Sequence, residues 1–133
     1  MTNTIKMIPN ALLLADVLAG REPAESQGSK RPTVEEAFAK AQAHFSEMGA
    51  DSHEGYLAHR AAVKAGLRRL TKEIRSAKAE IRYLDGDMSG YWKLSSELGK
   101  LRAEFADLHD LRRLGKAWSP LARQKQQQAA DAA

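Results

Sequence analysis

Between Asn10 and Gly20 the chain reads Asn-Ala-Leu-Leu-Leu-Ala-Asp-Val-Leu-Ala-Gly, an apolar stretch with a capping residue before it and a helix-stopping glycine after it. This predicts a short helix. Arg21 to Pro32 loses the pattern and fills with Pro, Gly, Ser and charge, which predicts a flexible linker. Thr33-Val-Glu-Glu36 has the form of a capping box, and Val34, Phe38, Ala41, Phe45 and Met48 recur at helical spacing until Gly49. Asp51-Ser-His-Glu54 offers a further cap. The apolar positions Tyr56, Val63, Leu67, Leu70, Ile74, Ala77, Ile81 and Leu84 then step by threes and fours from Val63 onward. A helix over 54–84 would be a rod of roughly 46 Å.

Asp85-Gly-Asp-Met-Ser-Gly90 interrupts it, and a second series follows at Tyr91, Leu94, Leu98, Leu101, Phe105 and Leu108. The register does not carry through, because continuing it would place Ser95 and Arg102 in the seam. A turn back is the natural reading. Gly115 predicts a stop, Ser119-Pro120 the start of a short final helix, and the low-complexity stretch Gln124 to Ala133 a frayed end. The expected fold is all-α: a long antiparallel helical hairpin, coiled-coil-like, with one preceding amphipathic helix and short flanking helices. The expected divisions are a helical segment over 1–20, a linker over 21–32, a helical domain over 33–118 with helices at 33–48, 54–84 and 90–114, and a polar tail over 119–133.

Composition agrees with thin helical seams. The chain has 133 residues, within the size of one domain, and 23 of its hydrophobic residues are alanines too small to fill a thick core. β-Branched residues are scarce, so no sheet is expected. The absence of cysteine excludes disulfides, thiolate metal sites and cysteine nucleophiles. The longest apolar run, Ala11 to Ala19, contains Asp16 and is too short to span a bilayer or to serve as a secretory signal. The expectation is a cytoplasmic protein with no membrane contact.

With Leu67, Ile74 and Ile81 at position a, Glu73 and Glu80 are g positions, and Glu97 and Glu104 are g in the second helix. An isolated antiparallel pair would set Glu against Glu, which is mildly unfavourable. The hairpin is therefore expected to be covered by the 33–48 helix or packed in a homo-oligomer. Exposed pairs of this kind carry little energy either way.

Charge is unevenly divided. Ser52 to Leu84 carries eight basic residues against three acids, whereas Thr33 to Asp51 carries one against four. The basic residues fall mostly off the seam, so Lys64, Arg68, Arg69, Lys72, Arg75, Lys78 and Arg82 form a candidate phosphate-binding flank for DNA or RNA. The bland alternative is a solvated face. A second cluster, Arg112, Arg113, Lys116, Arg123 and Lys125, surrounds Trp118, whose ring would either stack on a base or pin the terminal segment to the other helices.

Other chemistry is thinner. Asp85, Asp87, Ser89 and Gly90 match the first half of a calcium loop, but Lys93 and Ser96 stand where later ligands belong, and no calcium or other metal site is assigned. His44, His53, His59 and His109 show no ligand spacing, and no nucleophile stands beside a base, so neither a catalytic site nor a cofactor is expected. Leu13, Leu14, Val17 and Leu18 are candidate anchors for a protein partner, in the manner of a helix laid in a groove, unless that segment folds back on its own chain. Two functions from different classes follow: a nucleic-acid-associated accessory protein, and a protein-protein adaptor, inhibitor or assembly subunit acting through the helical hairpin or the N-terminal apolar segment.

Overall fold

A computed structural model of the protein describes residues 5–20, 32–84, 86 and 88–132, and among these every regular element is helical. They are α1 (Ala11–Leu18), α2 (Val34–Glu47), α3 (His53–Tyr83) and α4 (Met88–Ala132). The expected linker over 21–32 lies, except for Pro32, outside the described residues.

Local chemistry sets most of the ends. Thr33 Oγ1 accepts the Glu36 N–H at 3.1 Å and starts α2, and Ser52 Oγ accepts the Gly55 N–H at 3.0 Å and starts α3. Gly49, at φ 70°, closes α2: its N–H donates to the Ser46 carbonyl, and the Ala50 N–H reaches back to the Phe45 carbonyl at 2.7 Å. Asn10 departs from expectation. It adopts a left-handed backbone at φ 59° and its side chain makes no capping bond, so α1 begins without one and relies on packing.

α3 packs along α4, and residues whose numbers rise along α3 meet residues whose numbers fall along α4. The Tyr56 hydroxyl donates to the Gly115 carbonyl at 3.0 Å, Gly66 faces the Leu108 side chain, and Arg69 reaches Glu104 at 3.4 Å. A methyl on Gly66 would come within 3.0 Å of Leu108 Cδ1, so glycine lets the two helices approach closely. The Glu-against-Glu cost expected of the seam is met locally, because Arg69 pairs with both Glu73 at 3.8 Å and Glu104 at 3.4 Å.

The core is concentrated at one end of this pair. There Leu14 and Val17 of α1, Ala37, Ala41 and Phe45 of α2, Val63, Leu67 and Leu70 of α3, and Leu108, Leu111, Leu114 and Trp118 of α4 form one cluster. Both α1 and α2 lie against α4. The α2 cover expected for the hairpin therefore reaches only this end. Among the described residues toward the α3–α4 turn only Ala77 and Leu98 are buried, and the seam residues Ile74, Ile81 and Leu94 stay partly open.

The predicted stop at Gly115 and new start at Ser119-Pro120 are corrected: α4 runs unbroken to Ala132. Gly115 is placed there by packing. A methyl on it would sit 3.4 Å from the Tyr56 hydroxyl and 3.7 Å from Phe45 Cζ, so a small residue is needed where Tyr56 crosses. Pro120 removes one helical N–H, but Trp118 and Ala122 on either side of it are buried and hold the turn in place.

Candidate nucleic-acid interface

An α-helix turns by about 100° per residue. On that projection Arg60, Lys64, Arg68, Lys72, Arg75, Lys78 and Arg82 fall within a sector of about 120°, and from Arg60 to Arg82 no acid enters the half of α3 centred on it. All seven are exposed. Among the described residues none of them forms an ion pair; the acids of α3 that lie on this stretch, Glu73 and Glu80, project to the other side. The stripe extends for about 33 Å. Between its cations the surface is small: Ala61 and Ala65 line a shallow trough with Lys64, Arg68, Arg69 and Lys72.

Most of the flank expected from sequence is thus one surface, with two amendments. Arg69 stands apart, engaged by Glu73 and Glu104. Arg60, which the heptad reading does not single out, belongs with the others, and the signal was its angular position. Arg60 also shares the lining of a small cavity with Arg112 and Lys116 of α4, so two residues of the C-terminal cluster extend the stripe at its N-terminal end.

The rest of that cluster is dispersed. Arg113 is exposed and does not line this cavity. An Arg123 guanidinium nitrogen lies 3.4 Å from His53 Nδ1, and Lys125 Nζ sits 4.0 Å over the Phe38 ring. Trp118 is 3% exposed and stacks on Phe45 at 4.3 Å, with Tyr56 on a second side, so it has no free face for a base. It pins the terminal turns of α4 to α2.

That aromatic cluster also holds His44 and His59, whose rings lie 6.4 Å apart and both pack on Phe45. Their Nε2 atoms are buried without a hydrogen-bond partner among the described residues. Burial holds both imidazoles below the usual histidine pKa. Glu47 partly opposes this at His44, and His44 adds to it at His59. Burial thus favours the neutral form of both packed rings.

Leu14 and Val17 are buried, and Leu13 and Leu18 are partly buried against the same core. These four anchors are engaged within the chain. Of the partial calcium loop, Ser89 and Gly90 lie in the first turn of α4, while Asp85 and Asp87 lie outside the described residues. Among the described residues no group of three or more His, Asp or Glu side chains is placed to hold a metal ion, and no helix is long and apolar enough to cross a membrane.

No protein-family model, no curated protein and no solved structure matches the chain, so the surface chemistry of α3 is the ground on which its function is read.

Proposed function

We propose that the protein is a non-catalytic, nucleic-acid-associated accessory protein. It presents an antiparallel, coiled-coil-like helical hairpin whose α3 helix contacts backbone phosphates. The observation that carries this reading is the stripe of seven exposed cations on one side of α3, free of acids along its length. Unpaired cations on a rod release condensed counterions when they meet a polyanion, and that release favours binding without regard to base sequence. Arg112 and Lys116 contribute at one end. The proposal carries a cytoplasmic location, where such a polymer is available.

Substituting Arg68→Gln, Lys72→Gln and Arg75→Gln together removes three contacts from the middle of the stripe. Fluorescence anisotropy of labelled DNA should show weaker binding to every sequence, and the slope of log affinity against log salt should shrink by about 2.7 on a duplex. Unchanged affinity and slope in the triple variant would sink the proposal. A protein-protein role through Leu13, Leu14, Val17 and Leu18 would require α1 to leave a core in which Leu14 and Val17 are buried, and no observation favours that step.

A further inference from the structure

The α3–α4 turn carries a second surface that the phosphate-binding reading does not use. Of the large hydrophobic side chains left exposed, four cluster within ten residues of it: Tyr83 is 87% exposed, Met88 62%, Tyr91 42% and Trp92 66%. Trp92 is held edge-to-face by Tyr91 at 5.8 Å, a contact that orients the indole without covering it. Tyr83 forms no ring contact among the described residues. By its angular position Tyr83 lies in the same acid-free half of α3 as the cations, one residue beyond Arg82.

We infer that this aromatic tip is a stacking platform for unpaired bases, so that the protein favours single-stranded nucleic acid and engages it with α3 on the phosphates and Tyr83 and Trp92 on the bases. The inference rests on the phosphate-binding role of α3. Two observations select this occupant. The exposed groups are mainly aromatic, and every base offers a π-face to such a ring irrespective of sequence. Tyr83 continues the cationic stripe, following Arg82 directly in the chain and projecting onto the same half of α3.

A second copy of the chain is the weaker occupant. At up to about 250 Å² per side chain, scaled by their exposures, these four residues offer at most about 640 Å², short of the roughly 800 Å² per partner found in stable interfaces.

The two tryptophans make the test direct, since Trp118 is 3% exposed and Trp92 66%. The full chain is titrated with oligothymidine and with a DNA duplex of equal length, and tryptophan emission is followed alongside the anisotropy of a labelled strand. Oligothymidine should quench the emission, and Trp92→Phe should abolish that quenching. Tyr83→Ala with Trp92→Ala should weaken oligothymidine binding by about thirtyfold or more while changing duplex binding less than about twofold. Both positions are exposed, and unchanged far-ultraviolet circular dichroism establishes that the variants fold.

Salt-dependent binding with unquenched Trp92 and unaffected variants overturns the inference and leaves the α3 reading standing. No binding to either nucleic acid at low salt overturns both. A shift in Trp92 emission that grows with protein concentration in the absence of nucleic acid assigns the tip to a second copy and overturns the inference.

Discussion

Alanine in place of glycine should have opposite effects at two helical positions of this protein. At Gly99, exposed in α4, an added Cβ would meet nothing within 4 Å. Gly99→Ala therefore gains the helix-propensity difference alone, about 1 kcal/mol. At Gly55, in the first turn of α3, the same methyl would overlap the Gly49 carbonyl oxygen and lie 3.0 Å from its carbonyl carbon and 2.9 Å from Ser52 Oγ. The obstacle is backbone, so it cannot rotate away. Relief requires the α2–α3 connection to shift, which weakens the Ser52 cap on Gly55, worth about 1 kcal/mol, and disturbs the helix-closing bonds at Gly49 and Ala50. Set against the propensity gain, Gly55→Ala should lose a net of about 2–3 kcal/mol. For a chain of this length 1 kcal/mol corresponds to about 4 °C in Tm. Thermal unfolding followed by circular dichroism should thus show Gly99→Ala up by about 4 °C and Gly55→Ala down by about 10 °C. If the two variants move in the same direction, the packing described for the α2–α3 corner is wrong.

Phe45→Ala removes the ring on which Trp118, Tyr56, His44 and His59 all pack and should cost about 4 kcal/mol; the drop in urea midpoint measures it, and a loss under about 1 kcal/mol would refute the central role given to this ring. Acid should destabilise the protein through His44 and His59. Their folded-state pKa values lie below the ordinary 6.5, so below that value the unfolded chain binds protons that the folded chain refuses, and stability falls with pH until the folded pKa values are reached. Asp110, whose carboxyl is raised chiefly by burial from 3.8, acts with the opposite sign nearer that value. Urea midpoints across pH isolate the histidines by comparison with a His44→Asn, His59→Asn variant, which should show a flatter profile below pH 6.5. Leu14→Ala should cost about 3 kcal/mol by calorimetry despite its place in a short terminal helix, because the side chain is buried; a change within about 0.5 kcal/mol would mean that α1 is not docked.

The first three helices were legible in the sequence because their signals are local and agree: a capping Thr33 or Ser52, an apolar spacing, and a glycine or turn at the end. α4 was not, because its local signals disagree with its tertiary surroundings. Gly115 and Ser119-Pro120 read as stop and start, yet Tyr56 needs a small residue at 115 and Phe45 holds Trp118 two residues before the proline. Those partners lie 59 and 73 positions away in the chain, beyond the reach of any spacing rule. Of the two readings the sequence allows for Trp118, a base-stacking ring or a pin for the terminal segment, its packing on Phe45 supports the pin. The candidate interface was better legible, since it lies on one helix and 3.6-residue periodicity sorts its cations from its acids without tertiary knowledge. The same projection sorts Arg69, which falls outside that sector, on the side of Glu73 four residues on.

The uneven core also grades the rigidity of the α3–α4 pair along its length. Near Phe45 four helices share one cluster, whereas beyond Leu70 burial among the described residues narrows to a seam around Ala77 and Leu98. Opening free energies follow local burial, so amide protons should exchange slowest around Val63 to Leu70 and Leu108 to Leu114 and progressively faster toward Tyr83 and Met88. Most of the cationic stripe therefore lies on the compliant portion of the molecule. A polymer of irregular path can bend that arm to its own course while the four-helix end stays fixed, and the work of adaptation is done by loosening a thin seam, with no demand on the core.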